Sequence, residues 1–240
     1  MNNIFHKLNN RWTKFRLTPI RVFVFHQVSD TFDDTTMWPC DWTQTKVFKE
    51  NILAFKQQYT FISLPEAYKH LKHDVIRFKK YAVLTADDGW ASLNNILPWL
   101  AEQQIPITLF LNPQYLEGMH YQSRKTEKLL KQHDVMHIVA QYAPYVSIAS
   151  HGWIHTDCCQ MKQQQFSKSV QDSETYLSSF YGKIPFYAYS YGHHTKEYDA
   201  ILWQQGLIPV LADGSVNYND SNLIHRECID DGYKIVVEDA

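Results

Sequence analysis

The chain of 240 residues lacks long hydrophobic runs, and none of its apolar stretches is long enough to span a bilayer. Its N-terminal residues also lack the continuous apolar core of a secretory signal. Cysteines are few, and they follow neither a zinc-ribbon nor a redox spacing. They are Cys40, Cys158, Cys159 and Cys228. We therefore expect reduced thiols and a cytoplasmic protein.

Acidic residues are missing from the first 21 positions, which carry five basic ones although the net charge of the chain is −2. Apolar residues between Ile4 and Phe15 recur at three- and four-residue steps. This pattern is typical of a basic helix on an anionic membrane surface, and equally of a helix that packs its aromatic face on the protein. We expect residues 1–20 to form a basic amphipathic segment and residues 1–18 to contact the inner membrane face. The slightly acidic isoelectric point argues against a nucleic-acid partner.

Strand and helix patterns alternate along the rest of the chain, which predicts parallel strands with helices outside them. We expect one catalytic domain over residues 21–240, because α/β barrels of this length form single domains. The predicted strands are 21–28, 61–64, 81–85, 107–111, 145–149, 186–189 and 207–211. The predicted helices are 46–59, 65–71, 92–104, 123–141, 161–181 and 196–205.

Two carboxylates follow one of the predicted strands, in the stretch Thr85-Ala86-Asp87-Asp88-Gly89-Trp90. An Asp pair before Gly at the end of a strand places both carboxylates at its C-terminal tip. The same pattern also fits a turn whose side chains only cap the local backbone.

Two histidines follow a later strand, in Ser150-His151-Gly152-Trp153-Ile154-His155. Two neutral imidazoles and one carboxylate form a three-ligand site for a borderline divalent metal, and a second carboxylate beside them would serve as a base. Exposed turn histidines would explain the spacing as well. The joint position at strand ends favours a site, because α/β barrels collect catalytic side chains at that face.

These residues resemble the polysaccharide deacetylases, also called carbohydrate esterase family four. The family has Thr-Phe-Asp-Asp-Gly, then His-x-x-x-His, then a segment ending Pro-Tyr-Gly, then a late histidine motif. Besides the two stretches above, the resemblance covers Phe23–Val28, similar to the Tyr-His opening of one branch, Tyr59–Leu64 and Phe186–Gly192. It implies an irregular (β/α) barrel with about seven parallel strands.

The resemblance implies Asp87 as general base and a divalent metal on Asp88, His151 and His155, either Zn²⁺ or Co²⁺ or Ni²⁺. It implies that the backbone N–H of Tyr191 donates to the oxyanion. Aromatic residues make up 15% of the chain, which suits a sugar-binding cleft as well as an aromatic-rich core. Trp90, Trp153 and Tyr191 are the candidates for substrate contact.

The chain departs from the family pattern at three positions. Ala86 replaces a Phe, Ser190 replaces a Pro, and Ala188 replaces the Arg that holds the base carboxylate in many members. The stretch Asn222-Leu223-Ile224-His225-Arg226 matches the late motif in two ways. One match makes His225 the catalytic acid, and the other makes Arg226 the partner of the base.

We expect a metal-dependent hydrolase that removes acetyl groups from an N-acetylated amino sugar, in an oligosaccharide, a polysaccharide or a lipid-linked glycan of the bacterial envelope. O-deacetylation of a sugar ester is one alternative. The other is a catalytically impaired carbohydrate-binding protein on the same scaffold, which the three departures suggest.

Overall fold

The computed structural model describes residues 18–31, 42–74, 77–118, 129–182, 184–219 and 222–230. The predicted amphipathic segment lies outside the described residues except for residues 18–20, so its helix and its membrane contact stay predictions, as does the domain boundary. Among the helices of the described ranges, none is long and apolar enough to cross a membrane.

The strands follow one another along the whole described chain. They are β1 (Ile20–Phe25), β2 (Gln27–Ser29), β3 (Trp42–Gln44), β4 (Thr60–Phe61), β5 (Tyr81–Asp87), β6 (Ile107–Leu111), β7 (Val146–Ser150), β8 (Phe186–Ala188), β9 (Ile208–Val210) and β10 (Glu227–Cys228).

Helices occupy most of the connections between the strands. They are α1 (Thr45–Gln58), α2 (Leu64–His73), α3 (Leu97–Glu102), α4 (Pro113–Leu116), α5 (Gln132–Tyr142), α6 (Gln163–Tyr181) and α7 (Lys196–Gln204). Short 3₁₀ turns cover Ala91–Asn95, Cys158–Gln160 and Ser190–Gly192.

The main sheet is entirely parallel and runs in the order β10-β1-β5-β6-β7-β8-β9, with β4 as a further neighbour of β5. The last described segment closes it, because Ile224 bridges Val210 of β9 while Glu227 pairs with Phe23 of β1. This arrangement confirms the predicted irregular barrel with about seven parallel strands.

Buried side chains on both faces of the strands explain why the sheet curls. Phe23 and Leu84 pack in one apolar cluster with residues of α1, α3, α4, α5 and α6. The alternate residues Val22 and Val83 belong to a second cluster that also includes Val210 and so joins β1 to β9, strands far apart in the sheet order. Strands covered on both faces are typical of parallel sheets.

Several predicted boundaries were wrong by a few residues. The first strand is interrupted at His26, between β1 and β2. The predicted strand 61–64 ends at Phe61, because the Ser63 hydroxyl accepts a hydrogen bond from the Glu66 N–H and caps α2. The predicted helix 92–104 begins as a 3₁₀ turn and becomes an α-helix only at Leu97.

Candidate active site

The register of the parallel strands brings the polar residues to one edge of the barrel. Phe25 pairs with Ala86, so His26 follows β1 at the level where Asp87 ends β5. In the same way Leu111 pairs with Ser150, and the next residues along each chain are Asn112 and His151. The carboxyl ends of parallel strands thus gather groups that are far apart in sequence.

The turn after β5 depends on two consecutive residues with positive φ. Asp88 has φ of 68° and Gly89 has φ of 74°. Asp tolerates this left-handed conformation better than most side chains, and Gly adopts it without strain. A Cβ on Gly89 would lie 2.6 Å from Cδ2 of Leu111, so this close approach also requires glycine.

Asp88, His151 and His155 meet at this edge. Oδ1 of Asp88 lies 3.6 Å from Nε2 of His151 and 3.4 Å from Nε2 of His155. All three side chains are buried. Their ligand atoms all lie within 4.8 Å of one another, a group that could hold a metal ion.

Hydrogen bonds orient His151 for ligation. Its Nδ1 lies 2.9 Å from the carbonyl oxygen of Ala188 and must therefore carry the proton, which leaves the lone pair of Nε2 facing Asp88. Asn112 donates from Nδ2 to the carbonyls of His151 and Gly152, and the Ser190 hydroxyl donates to the His151 carbonyl. Two of the family departures, Ala188 and Ser190, thus support this histidine.

The charge state of His151 and the donor atoms of all three residues fit a divalent ion of the zinc type. Burial lowers the pKa of His151 despite the opposing influence of Asp87 and Asp88, so the imidazole is neutral at pH 7, as ligation requires. Two imidazole nitrogens and one carboxylate oxygen are the donors that such ions bind, and three protein ligands leave positions for water and substrate.

Asp87 forms a two-point ion pair with Arg226, a residue 139 positions away. Nη1 of Arg226 lies 2.7 Å from Oδ1 of Asp87, and Nη2 lies 2.8 Å from Oδ2. Arg226 also donates to the Leu211 carbonyl and to the Thr85 hydroxyl, which fixes its plane. Although burial alone would raise it, the pKa of Asp87 is lowered chiefly by the charge and the hydrogen bonds of Arg226. The carboxylate is therefore ionised and rigidly held.

His26 is a site residue to which the sequence prediction gave no role. Its Nδ1 lies 2.8 Å from Oδ2 of Asp230, whose Oδ1 accepts from the His26 backbone N–H. Burial opposes protonation, but Asp230, with Asp88 and Asp87, raises the pKa of His26 to about 10. The signal was present in the sequence, since His26 ends an apolar strand as Asp87 and His151 follow theirs.

A family model described as polysaccharide deacetylase matches residues 75–210, which is more than half of the chain. The chain belongs to the polysaccharide deacetylase family. Membership supports deacetylase activity on glycans, and the enzymes of this family depend on a metal. The comparison with curated protein sequences gave no significant match.

Solved structures of deacetylases share the fold. IcaB from Ammonifex degensii is 19% identical with a TM-score of 0.75, covering 88% of this chain and 91% of its own. The deacetylase PplD from Streptococcus pyogenes, solved with acetate, is 18% identical with a TM-score of 0.76, covering 89% and 93%. A de-N-acetylase from Aggregatibacter actinomycetemcomitans is 15% identical with a TM-score of 0.74, covering 90% and 97%.

Within this polysaccharide deacetylase fold, the two candidate residues of the late motif, His225 and Arg226, take different positions. The side chain of Arg226 enters the barrel and reaches Asp87, whereas Nδ1 of His225 lies 2.8 Å from Oδ2 of Asp213 at a partly exposed position. Neighbouring residues of an extended chain point to opposite sides, so both cannot face the interior. The structure therefore brings Arg226 to the predicted site and places His225 with Asp213.

Tyr191 lies in the 3₁₀ turn after β8. Its backbone has φ of 63°, and its ring lies 4.4 Å from that of His155, centroid to centroid. The side chain is exposed. Tyr191 is thus beside the predicted metal ligands and accessible from solvent.

The two predicted tryptophans occupy different surroundings. Trp153 is half-buried and meets the Tyr176 ring edge-on at 5.8 Å. Trp90 is only 5% exposed and packs with Tyr115 and Leu129 in a small apolar cluster. The position of Trp90 is that of a core side chain, and its ring has almost no surface for a sugar.

Proposed function

We propose that the protein is a metal-dependent hydrolase that removes the acetyl group from an N-acetylated amino sugar within a glycan. The observation that carries this proposal is geometric: Asp87, bound by Arg226, and His26, bound by Asp230, lie at the same edge of the barrel as the Asp88, His151 and His155 group. Amide hydrolysis needs a base for water and an acid for the departing nitrogen.

Asp88, His151 and His155 would hold the ion. When bound, a zinc-type ion polarises the acetyl carbonyl and lowers the pKa of a water molecule to roughly 7. A strong base is then unnecessary, which suits the lowered pKa of Asp87.

Asp87 is proposed to accept the proton of the attacking water. Its two oxygens are bound by Arg226, so the carboxylate keeps one orientation and one charge state. An ionised carboxylate accepts several hydrogen bonds and retains capacity for water while Arg226 holds it. The water oxygen forms its bond to the acetyl carbon as this proton leaves.

His26 is proposed to donate a proton to the sugar nitrogen as the carbon–nitrogen bond breaks. Amide nitrogen is a poor leaving group unless it is protonated, so an acid is needed at this step. The raised pKa keeps His26 protonated at neutral pH, and Asp230 fixes the ring through Nδ1 and leaves Nε2 as the donor. Acetate and the free amine are the products.

Tyr191 would contribute in two ways. Its backbone N–H is proposed to donate to the developing oxyanion, a role that depends on the turn conformation and not on the side chain. Its exposed ring, beside His155, offers a flat surface for the apolar face of a sugar.

A carbohydrate-binding protein without catalysis was suggested by the departures at Ala86, Ala188 and Ser190, of which the loss of Arg at position 188 bears most directly on the base. Arg226 supplies the missing positive partner of Asp87 from another part of the chain, which removes that reason. O-deacetylation remains the alternative within the enzyme class, because the same groups would attack an acetyl ester and an alkoxide leaving group depends less on His26.

The experiment is a measurement of acetate release from N-acetylglucosamine oligomers and from an O-acetylated xylan, after metal removal and re-addition of Zn²⁺, Co²⁺ or Ni²⁺. Metal-dependent release from the first substrate supports N-deacetylation, and release from the second alone supports the esterase. Glycan binding without release from either substrate under any metal would favour the non-catalytic protein.

A further inference from the structure

A second cluster of metal-ligating side chains follows the histidine motif. Ligand atoms of Asp157, Cys158 and Cys159 all lie within 4.8 Å of one another. Cys158 opens the 3₁₀ turn Cys158–Gln160 and is buried, whereas Cys159 is exposed. This set shares no residue with the Asp88, His151 and His155 group.

The spacing of the two sulfur atoms suits a shared ion. The Sγ atoms of Cys158 and Cys159 are 4.0 Å apart. Two thiolates that each bind a tetrahedral Zn²⁺ at about 2.3 Å lie roughly 3.8 Å from each other, so little movement is needed. A disulfide would require the sulfurs to approach to about 2.05 Å, between neighbouring residues whose geometry opposes it.

The third ligand is already oriented. Oδ1 of Asp157 accepts a hydrogen bond from the Cys159 backbone N–H at 2.9 Å, and Oδ2 lies 2.8 Å from Nδ1 of His193. A histidine bound to a ligating carboxylate is the kind of outer contact that tunes metal sites. Cys158 in turn donates from Sγ to the His193 carbonyl at 3.1 Å.

We propose that Asp157, Cys158 and Cys159 form a second metal site, which takes a thiophilic divalent cation of the Zn²⁺ class, with His193 orienting Asp157. Two thiolates with a carboxylate select such ions over Mg²⁺ or Ca²⁺, which prefer oxygen ligands alone. The exposed Sγ side of Cys159 and the largely exposed ring of His193 leave an entry path.

An ion at this second site would stabilise the contact between two loops. The loop after β7 carries His155 and the three ligands, and the loop after β8 carries Tyr191 and His193. The contact of His193 with Asp157 already joins them, and an ion on Cys158 would replace the hydrogen bond that its thiol now donates to the His193 carbonyl. A bound ion stabilises the folded chain by mass action, and this effect does not depend on hydrolysis.

Proton displacement opposes binding. Burial raises the pKa of Cys158, and the neighbouring Cys159 adds to the effect, so this thiol is protonated until an ion displaces its proton. Metal binding by thiols is accordingly coupled to proton release.

The test is a titration of the full-length protein with Cd²⁺, a Zn²⁺ analogue, in a phosphine reductant that does not compete as a thiol. Thiolate–Cd²⁺ bonds give an ultraviolet charge-transfer absorption that imidazole and carboxylate ligands do not give. Because the active-site group can also bind Cd²⁺ without this absorption, we expect the absorption to saturate by two equivalents in the wild-type protein and at one equivalent in His155→Gln, where the active-site group is broken. Thermal unfolding of the same samples should show a rise in Tm with Cd²⁺.

Variants locate the absorption. The double variant Cys158→Ser/Cys159→Ser should lose it, whereas the matched control Cys228→Ser, which removes an exposed thiol elsewhere, should keep it. His193→Gln should weaken Cd²⁺ binding on the order of tenfold, the effect typical of an outer contact. Should the double variant fold poorly by circular dichroism, Cys159→Ser alone replaces it, because that side chain is exposed. No absorption in the wild-type protein, or undiminished absorption in Cys158→Ser/Cys159→Ser or in the Cys159→Ser variant that replaces it, would overturn the second site.

Discussion

The two parts of the candidate active site are assembled in different ways. The metal group, Asp88 with His151 and His155, comes from two short motifs at the ends of β5 and β7. The proposed proton-transfer groups, Asp87 and His26, are held by Arg226 and Asp230, which lie 139 and 204 residues away from them. The first part therefore needs only two short segments of the chain, whereas the second exists only once the last described segment closes the barrel.

The two parts of the site therefore depend on different regions of the fold. The metal group needs the edge of the sheet and the turn at Asp88. The proton-transfer groups need residues 222–230 to lie between β9 and β1, since this segment carries both Arg226 and Asp230. Changes in that segment should impair proton transfer while metal binding survives.

The largest effect is expected from Asp88→Asn. Loss of a ligand removes the ion and with it several kcal/mol of transition-state stabilisation, so kcat should fall about a thousandfold or more. The measurement pairs acetate release with metal content after equilibrium dialysis. Wild-type turnover in a variant that no longer retains metal would refute the division into two parts.

His26→Gln should lower kcat for an N-acetylated substrate by roughly 10²- to 10³-fold, within the usual range for loss of a general acid. An aryl acetate has a leaving group that needs no protonation, so its hydrolysis should be nearly unchanged. Metal content should stay at the wild-type level. Equal losses on both substrates would argue that His26 has a structural role only.

Arg226→Met should lower kcat about a hundredfold, because an untethered carboxylate loses its position. It should also destabilise the fold by about 3 kcal/mol or more, since Asp87 is left buried without its partner. The free energy of unfolding from urea titration measures the second effect.

Glu227→Gln is the matched control for Arg226→Met. It weakens the neighbouring ion pair in which Arg21 Nε lies 2.9 Å from Oε1 of Glu227, at a more exposed position. We expect a loss of about 1 kcal/mol or less and an unchanged kcat. A fall in kcat comparable to that of Arg226→Met would mean that any damage to the closing segment disturbs the site.

The pH dependence of kcat follows from the raised pKa of His26. A histidine whose pKa is raised in the folded state keeps its proton at neutral pH and loses it as pH rises through about 10. The ion pair between His26 and Asp230 stabilises the fold fully below the ordinary histidine pKa. This stabilisation is lost as the pH rises through the pKa of His26 in the folded protein. Asp230→Asn removes the main cause of the raised His26 pKa, so the alkaline decline of kcat should move to lower pH. An unmoved decline would assign it to another group.

The smallest effects concern the aromatic residues. Trp90→Phe should leave KM for glycan oligomers unchanged, because the ring is buried, and should cost stability instead. Tyr191→Ala keeps the backbone N–H and should raise KM a few-fold with little change in kcat, since only the stacking surface is lost. A large fall in kcat for Tyr191→Ala would contradict the backbone role.

Sequence patterns were sufficient for the parts of the molecule that depend on short segments. Alternating strand and helix patterns predicted parallel strands with helices outside them, whereas the barrel followed from the family resemblance. The apolar run before Asp87 predicted that this residue lies at a strand tip. Residues 1–17 are outside the described structure, and their predicted helix is untested.

The parts that depend on closure of the barrel were harder to predict. Residues 222–226 allowed two matches, and only the interior position of Arg226 separates it from His225. Trp90 is buried because Tyr115 and Leu129 come against it from elsewhere in the chain, which its own motif does not reveal. His26 was overlooked although its position at a strand end gave the same signal as that of Asp87.

The most direct test is an anomalous-scattering map of crystals grown with Zn²⁺, recorded for the wild-type protein and for Arg226→Met. The account predicts a peak enclosed by Asp88, His151 and His155 in both, because the metal group does not need the closing segment. Absence of that peak from the wild-type crystals would contradict the proposed hydrolysis itself.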